Sequence, residues 1–139
     1  MTMPILASVP HAGTWVPPEV RDICVLTPQE IVDDGDVGAA EIYAISTEVE
    51  AFVTTEVARA IVDLNRAEDD FWKDGVIKTH TCWDVPVYST PPSEELIENL
   101  LAAHHRPYHE ALAQEATRAM VVRAQSAPMR KTSNASTRM

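Results

Sequence analysis

With 139 residues, 45% of them apolar and 23% charged, the chain has the length and balance of one globular domain, which excludes a wholly disordered or membrane-embedded protein. Its 21 acidic side chains outnumber 11 basic ones for a net charge of −10, a surface that repels phosphate backbones and anionic lipid, so nucleic acid and membrane are not expected partners. No apolar run approaches the roughly 20 residues of a membrane span, the amino-terminal residues lack the basic start of a signal peptide, and Cys24 and Cys82 read as free thiols, so the expected location is cytoplasmic.

The apolar run Pro4 to Val9 is read as a buried strand, ended by Pro10 and Gly13, with His11 at its carboxyl end. Thr27-Pro28-Gln29-Glu30 has the form of a capping box and predicts a helix start, interrupted by Gly35 and Gly38. A further helix is expected from about Ala39, with Ile42, Ile45 and Val49 on one face. The β-branched runs Phe52 to Thr55 and Val57 to Leu64 read as strands, the second emptying into Asn65-Arg66 and the acidic turn Glu68-Asp69-Asp70.

Val76 to Thr79 and Val85 to Tyr88 could be short edge or loop-hugging strands, because Pro86 is poorly tolerated in a central one. Ser93 is the expected cap of a helix whose stripe includes Leu96, Leu100 and Ala103 and which Pro107 should kink or split before it resumes toward Val122. The last acid is Glu115, whereas Arg123, Arg130, Lys131 and Arg138 follow, so residues 1–122 are read as the domain and 123–139 as a basic, disordered tail. Strands alternating with helices predict an α/β sheet, in which ligands bind beyond the carboxyl ends of the strands. His11 and Asn65-Arg66 both fall in that zone.

Four groups could carry chemistry. His11, between Pro10 and the small pair Ala12-Gly13, could present a neutral imidazole to a metal ion, or could simply be a solvated loop histidine. Asp33, Asp34 and Asp36 could supply a carboxylate ligand or form an exposed acidic helix break. Arg66 offers a planar fork that pairs with a substrate carboxylate, with Asn65 beside it, or it could pair internally with Glu68-Asp69-Asp70. His104-His105-Arg106-Pro107-Tyr108-His109 lacks the Glu of a helical HExxH zinc site; Arg106 and His109 could touch substrate, or the segment could pack on the core.

Taken together, Ser8-Val9-Pro10-His11-Ala12-Gly13-Thr14, the Asp36 to Tyr43 segment, Ile61-Val62-Asp63-Leu64-Asn65-Arg66, Gly75-Val76-Ile77, Pro86-Val87-Tyr88 and Arg106-Pro107-Tyr108-His109 resemble the N-formylglutamate amidohydrolase family over about residues 4–118. The resemblance implies a three-layer αβα sandwich akin to zinc carboxypeptidases and aspartoacylase, and release of formate from an N-formylated acidic amino acid. It implies His11 and Asp36 as ligands of a zinc or other divalent ion, Asn65, Arg66 and Arg106 as substrate-binding groups, and His109 as a catalytic group. Family members have a further histidine in a second half that this sequence is expected to lack.

Three readings follow for the protein: a zinc amidohydrolase acting on a small anionic substrate, a non-catalytic member that self-associates or is complemented by another chain, and a protein-interaction module.

Overall fold

A computed structural model describes residues 3–36 and 44–126. Strands β1 (Met3–Val9) and β2 (Val49–Thr54) pair in parallel, with Leu6 opposite Ala51 and Val9 opposite Thr54, so their carboxyl ends lie side by side. In β2, Val49, Ala51 and Val53 are buried and alternate with half-buried residues, the period-two pattern of a strand with one face in the core. β1 differs from the buried strand expected of its sequence. Met3 and Ile5 are exposed and burial is reached at Val9, because β2 is its one strand neighbour among the described residues.

A parallel pair requires a crossover, and this one carries helix α1 (Pro28–Asp33). The capping box forms as its sequence predicts: the Glu30 N–H donates to Thr27 Oγ1 at 3.1 Å, and the Thr27 N–H donates to Glu30 Oε1 at 2.8 Å. The helix stops before Gly35, whereas Gly38 and the expected helix start from Ala39 through Ile42 lie outside the described residues. Ala44 is helical, but the expected continuation through Ile45 to Val49 is not. The Glu48 N–H closes a turn on the Ile45 carbonyl, and Val49 enters β2 opposite Met3.

Val57 to Leu64 is not a strand. Val57 makes a single parallel bridge to Trp15, after which the Ile61 and Val62 N–H groups both return to the Ala58 carbonyl. An apolar run can mean a buried strand or any other segment buried on every side, and here Val57, Ala58, Ala60, Ile61, Val62 and Leu64 form the centre of the core. Val76 to Lys78 is likewise a buried loop that ends at the exposed Thr79, and Val85 to Tyr88 contributes isolated bridges from Pro86 to His80 and from Tyr88 to Cys24.

Helix α2 (Glu94–Leu100) is capped by Ser93, whose Oγ accepts from the Leu96 N–H at 3.1 Å. Pro107 neither splits nor ends the helical run. A proline has no N–H to offer the preceding turn and its ring crowds the carbonyl there, and Leu101–His105 widens into a π turn in which the Arg106 N–H donates to the Leu101 carbonyl. Helix α3 (Arg106–Ser126) then runs beyond Val122 without a break, and residues 127–139 of the expected tail lie outside the described residues.

Tyr108 fixes α3 to both strands: its hydroxyl donates to the Val53 carbonyl at 3.2 Å and lies 2.8 Å from Ser8 Oγ. The result is a small α/β architecture whose core lies between the sheet, the Val57–Leu64 segment and the carboxyl-terminal helices. Among the described residues, no helix is long and apolar enough to cross a membrane.

Candidate active site

After β1 the chain turns sharply, and Gly13 passes so close to the backbone of Glu56 and Val57 that a Cβ would collide with it. Beyond it, the Trp15 N–H donates to the Glu56 carbonyl and the Ala58 N–H to the Trp15 carbonyl, each at 2.8 Å. This clasp turns His11 inward. Its Nε2 lies 2.6 Å from Asp63 Oδ1 and its Nδ1 lies 3.4 Å from Asp36 Oδ1, the Asp36 N–H being tied to the His11 carbonyl. The ring is buried, whereas the Asp36 carboxylate is 48% exposed.

Asp63 is fully buried, and burial pushes its carboxyl up. The hydrogen bond and charge of His11, the Asn65 N–H at 3.0 Å and the Arg59 Nε at 3.2 Å oppose that and hold it well below the usual carboxylate range. Ionised, Asp63 can only accept, so the hydrogen on His11 Nε2 points toward it and Nδ1 is left on the Asp36 side. A carboxylate behind a histidine in this way fixes the ring and its tautomer.

Arg66 meets the same carboxylate from the other side, Nε lying 3.6 Å from Asp63 Oδ2, while Nη2 lies 3.5 Å from Asp74 Oδ2. His11 and Arg66 therefore converge on Asp63, although 55 positions separate them in the chain. Arg66 does pair internally, with Asp63 and Asp74 rather than with Glu68-Asp69-Asp70. Its side chain stays 39% exposed and can still reach a ligand. Asn65 contributes its backbone N–H to Asp63, and the residue is otherwise exposed beside Arg66.

The histidine-rich segment supports this turn from behind. His105 Nε2 donates to the Arg66 carbonyl and His109 Nε2 to the Leu64 carbonyl, each at 2.8 Å, with the two rings 4.5 Å apart. Arg106 faces elsewhere. Its guanidinium is held by Glu68 and Glu98 in an exposed cluster, which raises its pKa above the ordinary arginine value.

Of the acids after α1, Asp36 joins His11, Asp33 is exposed and Asp34 is fully buried, accepting from the Cys82 N–H at 2.7 Å. Asp63, Lys78 and Arg59 were not singled out by sequence reasoning as functional. Their signal was a charged residue set in an apolar run, Ile61-Val62-Asp63-Leu64 and Val76-Ile77-Lys78, since a charge there is buried only when paired. Among the described residues, no three His, Cys, Asp or Glu side chains converge as a metal site, and His11 Nδ1 and Asp36 Oδ1 are a pair of possible donors 3.4 Å apart.

Compared with known families, residues 3–136 match the N-formylglutamate amidohydrolase family. No curated protein and no solved structure matches the chain.

Proposed function

Because the chain belongs to the N-formylglutamate amidohydrolase family, we propose that it hydrolyses the amide of an N-formylated acidic amino acid, releasing formate, at the His11–Asp63–Arg66 cluster. The observation that carries this reading is the shared carboxylate: one buried Asp63 orients a histidine whose other ring nitrogen meets Asp36 and, on its other oxygen, an arginine whose side chain stays 39% exposed.

His11 Nδ1 and Asp36 are the groups that would hold a divalent ion, zinc by the preference of mixed imidazole and carboxylate donors. Two donors of a tetrahedral zinc centre lie about 3.3 Å apart, and these two are 3.4 Å apart. They supply two of the three protein ligands such a centre uses. The chemistry the ion brings is activation of water at neutral pH and polarisation of the formyl carbonyl.

The protein's own side chains account for binding and orientation. Arg66, with Asn65 beside it, binds a substrate carboxylate through its fork. Asp63 keeps the His11 ring in one tautomer and takes no proton near neutrality. His109, expected to act in catalysis, has its Nε2–H committed to the Leu64 carbonyl, which makes it, with His105, a positioning residue for the turn that carries Arg66. Arg106 is left out of the substrate site because it pairs with Glu68 and Glu98 and not with Asp63, the carboxylate that His11 and Arg66 share. The layered αβα sandwich of zinc carboxypeptidases is the larger architecture this reading implies around the observed parallel pair.

The test is formate release from N-formyl-L-glutamate by the zinc-supplemented chain. Arg66→Ala should raise KM about tenfold or more with kcat largely kept, because it removes binding common to ground and transition states. Unchanged KM in that variant would remove Arg66 from the substrate site. Absence of turnover in the parent chain, with no zinc bound, would favour the non-catalytic reading.

A further inference from the structure

Lys78 ends the apolar run Val76-Ile77-Lys78, and its side chain is completely shielded from solvent. An ammonium carries three donors and no acceptor, and taking it out of water costs several kcal/mol unless anions replace the lost hydration. Three carboxylates do so. Nζ lies 3.5 Å from Asp34 Oδ2 and 3.7 Å from Asp63 Oδ2, and it donates to Asp74 Oδ1.

Each carboxylate belongs to a different part of the site. Asp34 follows α1 and stands two residues before Asp36; Asp63 holds the His11 ring; Asp74 turns its other oxygen to Arg66. Arg59 reaches Asp63 and the Asp34 backbone carbonyl, and Arg66 reaches Asp63 and Asp74. Among the described residues, Lys78 is the cation that meets all three carboxylates. Asp34 Oδ2 is moreover buried without a hydrogen-bond partner, and Lys78 is the cation that makes an ion pair with it, Arg59 adding its charge from the backbone side.

From this arrangement we infer that Lys78 is a positioning residue that locks the His11–Asp63 pair and the Arg66 guanidinium into one fixed relation. Its functional meaning rests on the reading of His11 as a metal donor and Arg66 as a carboxylate binder, but the lock itself does not. Without the ammonium, Asp34 and Asp63 face each other with less opposing charge. Asp63 is then drawn toward Arg59 and Arg66, and its hold on His11 Nε2 loosens.

The experiment is NMR of the His11 ring in the metal-free full chain, read beside the affinity for glutarate as a dicarboxylate probe. The parent chain should show a protected Nε2 proton donated to Asp63. Lys78→Met should lose that signal and weaken glutarate about tenfold, whereas Asp74→Asn should keep the signal and weaken glutarate alone. Should the methionine variant fail to fold, Lys78→Gln is read in its place with the same expectation.

A folded Lys78 variant that keeps either the signal or the affinity overturns the inference, as does a parent chain without the signal. Failure of both variants to fold also overturns it and leaves Lys78 a role in stability alone. A parent chain with the protected proton that neither binds zinc nor releases formate sinks the activity reading while leaving the Lys78 test intact.

Discussion

A methyl group at Gly13 would meet the backbone of Glu56 and Val57, which cannot rotate away as a side chain would. Gly13→Ala should therefore destabilise the fold by about 1–3 kcal/mol, the usual cost of overpacking, measurable as a lower denaturant midpoint at unchanged slope. A midpoint equal to that of the parent would show that the loop relaxes freely. His11 and Arg66 were legible as candidates from their surroundings, a histidine between Pro10 and Ala12-Gly13 and an Asn-Arg pair after an apolar run, whereas Asp36 stood out from Asp33 and Asp34 only through the family resemblance. Asp63 and Lys78 were harder to read, since their value lies in partners far along the chain. The His11–Asp63 hydrogen bond spans 52 positions, and no local pattern encodes it.

Among the elements, the capped helices were the most readable, because Thr27, Glu30 and Ser93 act on N–H groups only a few residues away. Thr27→Ala should cost about 1 kcal/mol by removing the cap, seen as a lower unfolding midpoint, and an unchanged midpoint would mean that α1 is held by packing alone. The Val57–Leu64 segment misled for the opposite reason. Its β-branched residues satisfy the requirement of a core without that of a sheet, and the backbone curls so that Arg59 and Asp63 meet at i, i+4. Pro107 was visible as a disturbance, but the place where the helix absorbs it, the π turn one step earlier, depends on how α3 sits against the strands.

Over the whole molecule, the balance of charges inside differs from that outside. The surface excess of acid gives the −10 net charge, whereas around the buried Asp34, Asp63 and Lys78 the charges are paired, with the partly exposed Asp74, Arg59 and Arg66 completing the cluster. The Asp63 carboxyl is held below its ordinary value of 3.8. A depressed folded-state pKa contributes stability that is present above the unfolded value and lost as pH falls through the folded one. Thermal unfolding midpoints should accordingly fall as the pH is lowered from about 5 to about 3. In Asp63→Asn they should start lower and depend less on pH across that window. Parallel curves for the two proteins would remove Asp63 from the acid response.

The account depends above all on His11 Nδ1 and Asp36 being a pair of metal donors held in place by Asp63. Zinc titration of the full chain by calorimetry measures this directly. The predicted result is one ion per chain, with binding abolished in His11→Ala and weakened about 10- to 100-fold in Asp63→Asn. Zinc uptake by His11→Ala equal in affinity and stoichiometry to that of the parent would contradict it.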